Sequence, residues 1–186
     1  MLKCLNVKMT KGFTLMEAMV AIFVIITGIV GVMTLITHTI TSAQISKDRL
    51  TAAYLAQEGI EIVRNIRDTN WLEQYTESTN PWNEGLTGCS GDCEADYFCS
   101  TVEDPDPTNP ASHYCLASYD SGHFLKINTN DLYNYATGID TKFKRKITIS
   151  DGPISNNSLN VEVEVFWEER GRTHQVTVKE ILYNWR

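Results

Sequence analysis

From Phe13 to Ile36 the chain carries one formal charge, Glu17, in a run of otherwise apolar, glycine and threonine positions. At 1.5 Å per residue a helix over that run is about 36 Å long, more than a bilayer's hydrocarbon core of roughly 30 Å. Beyond Ile36 the pattern changes without a breaker. No proline occurs before Pro81, and glycine is absent from Val32 to Glu58. Leu50, Ala53, Tyr54, Gln57, Ile60, Val63 and Arg67 recur at helical spacing, with Ala56 and Ile66 beside them. The spacing predicts one helix from about Thr14 to about Asp68, close to 80 Å long. Asp68-Thr69-Asn70-Trp71 is expected to end it. Its first half, 13–36, is apolar all round, and its second, 37–70, has one apolar face.

The next region, 71–115, reads as irregular. Asn80-Pro81, Gly85, Gly88, Gly91 and the run Asp104 to Pro110 are turn and breaker signals. From 116 to 186 the period becomes two. Short strands are expected at Phe124–Ile127 and Leu132–Tyr135, and a longer one at Phe143–Ile149. A turn follows at Asp151-Gly152-Pro153 and Asn156-Asn157. Leu159–Trp167 alternates with Val161, Val163 and Val165 inward; Glu168–Arg172 turns around Gly171. Thr173–Tyr183 then alternates through Val176, Val178 and Ile181. The expected class is α+β, a long N-terminal helix whose stripe covers the apolar face of a C-terminal antiparallel sheet.

Charge adds direction. Lys3, Lys8 and Lys11 precede the apolar run, which places Met1–Gly12 on the cytoplasmic side and sends the rest outward, as a single-pass membrane protein. An ordinary secretory signal is cut after its apolar stretch. Here the expected cut lies before it, so the apolar segment is retained; an uncleaved signal anchor is the rival reading. The chain's formal charge is −7, and losing the leader lysines makes the remainder more acidic. Such a surface argues against nonspecific DNA binding by the exterior domain as a whole.

Glu17 needs an explanation, because an ionised carboxylate within a membrane is unfavourable by several kcal/mol. Either it reaches the headgroups or a cation meets it at the same depth. The span holds no Lys or Arg. Cleavage after Gly12 creates a new amino group at Phe13, which supplies one.

Gly12-Phe13-Thr14-Leu15-Met16-Glu17, followed by an apolar helix, resembles the class III signal of type IV prepilins and pseudopilins. Met16 departs from the more usual Ile, one apolar residue for another. The resemblance implies a prepilin peptidase that cuts between Gly12 and Phe13 and methylates Phe13. It implies that Glu17 pairs with the amino terminus of a neighbouring subunit during filament assembly. Partners would be other pilin or pseudopilin subunits, the peptidase, an inner-membrane assembly platform and, before assembly, lipid. Tyr54–Glu61, Val63–Asp68 and the final hairpin ending Asn184-Trp185-Arg186 look like minor pilins and the smaller pseudopilins. A pilin-like fold, and a destination in a cell-surface or periplasmic filament, are expected on this basis. The secretion-type pseudopilus shares every signal with the pilus. Gly28 and Gly31 permit three readings: close helix approach, a soft spot where pilin helices loosen, or ordinary transmembrane glycine.

Cys4 falls in the leader, leaving Cys89, Cys93, Cys99 and Cys115 on the exported side, where disulfides are plausible. Of the three connectivities, local proximity favours Cys89–Cys93 with Cys99–Cys115. Zinc held by these thiolates with His113 or His123 fits their spacing poorly. Asp92, Glu94, Asp96, Glu103, Asp104 and Asp106 lack calcium-loop spacing and read as a solvated acidic loop. No cofactor or metal is expected.

An enzyme is not expected either. His38, His113, His123 and His174 are scattered, and no nucleophile elbow, phosphate loop or His-Glu-x-x-His occurs. Tyr114-Cys115 with His113 is not read as a Cys–His catalytic pair. Lys142, Lys144, Arg145 and Lys146 form the one basic cluster, expected as a solvated strand edge. An anchored module that binds DNA or surfaces through that strand or the loop is the remaining alternative.

Overall fold

The computed structural model describes residues 12–75, 81–87, 91–95 and 116–185. They form two compact units, Met1–Ile45 and Ser46–Arg186. One helix, α1 (Leu15–Tyr75), contributes to both. The second unit is α+β: it packs its part of α1 on an antiparallel sheet.

Among the described residues eight strands follow the helix: β1 (Asp92–Glu94), β2 (Ala117–Ser118), β3 (Lys126–Ile127), β4 (Tyr133–Asn134), β5 (Ile139–Asp140), β6 (Phe143–Asp151), β7 (Ser158–Glu169) and β8 (Arg172–Tyr183). A five-stranded sheet has the order β2-β1-β6-β7-β8, and a small sheet the order β4-β3-β5. All pairings are antiparallel. Val161, Val163 and Val165 face inward, as their alternation requires, and meet Ala52, Leu55, Ala56, Ile60 and Val63 of α1 in the core. Each fully buried aliphatic side chain of this kind contributes about 1.5–3 kcal/mol. The other face is wet and carries cross-strand ion pairs, Lys146 with Glu164 at 2.6 Å and Lys179 with Glu162 at 2.9 Å.

Two glycines decide local geometry. Arg170 and Gly171 both have positive φ, 51° and 72°, the backbone of a two-residue hairpin turn whose twist matches the flanking strands. Gly59 lets α1 approach β7: a Cβ there would sit 2.9 Å from Val163 Cγ1 and 3.2 Å from Arg145 Cδ.

The structure corrects several expectations. The helix runs on through Asp68-Thr69-Asn70-Trp71 to Tyr75. Asn70 does not cap it. Its amide turns inward and donates to the carbonyls of Trp82 (3.0 Å) and Glu84 (2.8 Å), holding the following turn instead. Trp71 is buried, with Trp185 edge-on at 4.2 Å and the Arg67 guanidinium 4.7 Å from its ring centre. The buried stripe holds as expected at Ala56, Ile60, Val63 and Arg67 and departs from expectation over its first turns. Asp48, Ala52, Leu55, Gly59, Ile62 and Val63 line it, while Leu50, Tyr54 and Gln57 are exposed. In β8 the inward series is Val176, Val178 and Leu182; Ile181 faces out, since strict alternation cannot carry an even-numbered series to an odd position. The irregular region contains β1, which pairs with both β6 and β2. β6 is therefore a central strand and not an edge.

Arg145 explains most about that strand. It occupies an inward position opposite Val165 and has no exposed surface. Its guanidinium donates to the Leu55 carbonyl at 3.1 Å and to the Ala95 carbonyl, tying helix, sheet and the end of β1 together. Glu58 stands 3.3 Å away, near enough for an ion pair but misaligned for a hydrogen bond.

Candidate functional site

The segment that sequence reasoning singles out begins at Gly12 and Phe13, just before α1. Thr14 caps the helix: its hydroxyl accepts the Glu17 N–H at 3.3 Å, and its carbonyl accepts that of Ala18 at 3.1 Å. The signal for this is a Thr followed three residues later by Glu, a capping-box spacing. It puts Glu17 in the first turn, where the helix dipole favours a negative charge.

Everything around Glu17 on the helix is apolar and bare. Phe13 is 81% exposed, and Leu15, Met16, Met19, Val20 and Phe23 are exposed with it. The helix holds an 18-residue window of mean hydropathy 2.7 with none of it buried, long and apolar enough to cross a membrane. Its hydroxyls are spent internally. Thr27 donates to Phe23 O at 2.9 Å, Thr34 to Val30 O at 2.8 Å, and Thr39 to Leu35 O at 2.9 Å. Gly28 and Gly31 leave open space, with no atom of another element near either. The helix is unbroken there.

Cys93 is buried and disulfide-bonded, so it offers no thiolate to a metal. Cys89, Cys99 and Cys115 lie outside the described residues, as do His113, Asp96, Glu103, Asp104, Asp106 and the stretch Met1–Lys11. The two acidic-loop residues that are described are engaged. Asp92 accepts from the Thr148 hydroxyl at 2.7 Å. Glu94, nearly buried, meets His123 Nδ1 at 2.8 Å and accepts the Asp120 N–H at 3.3 Å. The hydrogen bond to Glu94, and then its charge, raise the His123 pKa above the ordinary imidazole value. His174 stacks on Trp167 at 5.3 Å, and His38 is exposed on the helix.

The expected basic cluster is dispersed. Arg145 is buried, as described. Lys142 bridges Asp48 (2.5 Å) and Glu169 (2.9 Å); burial works against its charge, but those two hydrogen bonds prevail and raise its pKa. Lys146 meets Glu164 and Asp92, and Lys144 donates to the Ser121 carbonyl while lying over Phe124. A strand whose cations are already committed presents little free positive charge to a phosphate backbone. No family model, curated protein or solved structure matches the chain.

Proposed function

We propose that this chain is a structural subunit of a type IV filament, of the minor-pilin kind, assembled through its N-terminal helix. The observation that supports this reading is a single carboxylate, Glu17, in the first turn of a bare apolar helix, four residues after Phe13. In this reading the precursor is anchored in the inner membrane with its C-terminal unit outside. Prepilin peptidase removes Met1–Gly12, and the freed, methylated Phe13 amino group of one subunit meets Glu17 of the next. Pairing is directional: the charge can be buried against neighbouring helices only where a counter-ion stands at the same height, since breaking a buried pair by removing one partner typically costs about 3–5 kcal/mol. Glu17 thereby sets the axial register. The dispersal of the basic cluster weighs against the DNA-binding alternative.

The test has two parts. Mass spectrometry of the mature protein should find an N-methylated Phe13 and no Met1–Gly12. Glu17→Ala should leave a stable, membrane-inserted precursor that enters filaments at less than about a tenth of the wild-type level, since an unmatched amino group carries a penalty above 1.4 kcal/mol. Normal incorporation of that variant removes the role assigned to Glu17. Secretion of cargo instead of a surface fibre, in cells carrying the intact protein, assigns the same assembly chemistry to a secretion pseudopilus.

A further inference from the structure

Lys142 gathers charge at one end of the sheet. It joins Asp48 on α1 to Glu169 at the end of β7. Asp48 is flanked along the helix by Lys47 and Arg49. Glu169 is followed by Arg170 and stands opposite Arg172 across the hairpin. One bridge therefore collects four further cations, all exposed. Apart from Lys126 and Lys144, they are the only described Lys and Arg residues without an ion pair. Lys126 stands opposite Asp140 between β3 and β5, and Lys144 is held by Ser121 and Phe124. Against the four stand Glu168 and the one carboxylate charge that Lys142 leaves over, so this end stays positive in a chain whose overall formal charge is −7.

The turn geometry holds two of these cations outward. Arg170 and Gly171 take the left-handed backbone of a tight hairpin, so Arg170 sits at the very tip with Arg172 beside it. In the chain, Lys47 comes eleven residues after Ile36, where the apolar span ends. Anionic headgroups lie where such a span leaves the hydrocarbon core, and basic residues within a Debye length of that surface are attracted to it.

We propose that Lys47, Arg49, Arg170 and Arg172 form a docking face for an anionic lipid surface, holding the exterior unit against the membrane before assembly. This rests on the reading of the apolar helix as a membrane anchor. It concerns lipid phosphate and not nucleic acid: the cations sit at the tip of one hairpin and on one helical turn, and among the described residues no exposed aromatic adjoins them along the chain for bases to stack on. Each cation near an anionic surface is worth about a fivefold change in occupancy.

The full chain is placed in nanodiscs of phosphatidylcholine alone, or with one third phosphatidylglycerol, and amide hydrogen exchange is followed at Arg170 and Gly171. Exchange there should slow at least fivefold in the anionic bilayer and return to the zwitterionic rate at about 1 M salt, where the Debye length falls to about 3 Å. Arg170→Gln with Arg172→Gln should abolish the difference while amides in the middle of β7 keep their protection. Equal exchange in the two bilayers, from a chain that stays with the disc, overturns this inference and leaves the anchor intact. A chain that does not stay with either disc overturns both. Equal slowing in the zwitterionic disc on adding inorganic phosphate or a DNA oligonucleotide shows a general anion site and also overturns it.

Discussion

Arg145→Met is the perturbation that most directly tests how the unit Ser46–Arg186 is held together. Met keeps much of the length of the aliphatic stem and removes the charge. Arg145 is wholly buried, and its guanidinium satisfies two main-chain carbonyls, Leu55 at 3.1 Å and Ala95. Hydrogen bonds from a charged donor are worth about 1.5–3 kcal/mol each, and the stranded carbonyls keep their desolvation penalty. Glu58 is about a third exposed overall, although its Oε1 is buried, so the ion pair adds little. The expected loss is about 3–5 kcal/mol. With a urea dependence near 2 kcal/mol/M, the unfolding midpoint of the full chain in mild detergent, followed by tryptophan fluorescence, should fall by about 2 M. Adding Glu58→Gln to Arg145→Met should restore less than about 1 kcal/mol, because the damage lies in the carbonyls and not in a stranded carboxylate. A single-variant midpoint within about 0.3 M of wild type refutes the account of Arg145 as a three-way tie, and near-complete rescue by the second substitution refutes the division of its energy.

Gly59→Ala should destabilise the fold by about 1–2 kcal/mol despite the gain of about 1 kcal/mol in helix propensity, because the added methyl meets Val163; adding Val163→Ala should remove the clash in a thermal-melt double-mutant cycle. His123 contributes stability that depends on pH. Its folded pKa is raised, first by the hydrogen bond to Glu94, so that contribution is complete below the unfolded value near 6.5 and is lost as pH rises through the higher folded value. His123→Gln should flatten the melting temperature across that window, and an unchanged slope would mean that another group carries it.

The parts of the molecule read most easily from sequence were those in which one periodicity acts alone. The apolar run before Ile36 needed no tertiary information, and the alternation of Val161, Val163 and Val165 named its own face. Failures began where two preferences competed at one residue. Asn70 looked like a helix stop because its side chain often bonds locally, yet that amide is claimed by the carbonyls of Trp82 and Glu84. Lys142–Lys146 read as a solvated strand because four cations in five residues usually face water. Nothing local showed that α1 would present the Leu55 carbonyl to Arg145, or Asp48 to Lys142. The stripe on α1 departs in part from its expected phase because Leu50 and Tyr54 are apolar but uncovered, while Asp48 and Gly59 are covered. At the N-terminus Glu17 was legible as an exception to its surroundings; Thr14 was not, because its role exists only once the helix start is fixed.

The threonines of the apolar span have a consequence for how freely that span changes company. Because Thr27, Thr34 and Thr39 return their protons to their own backbone, those hydroxyls would not be stranded if acyl chains gave way to side chains of another subunit, as the proposed assembly requires. On that proposal the helix from Leu15 to Ile36 is, apart from Glu17, nearly indifferent to whether grease or protein surrounds it. Movement between those two environments would then be governed by a lone ionised group, and a near-neutral exchange would become a selective one at a single atom pair.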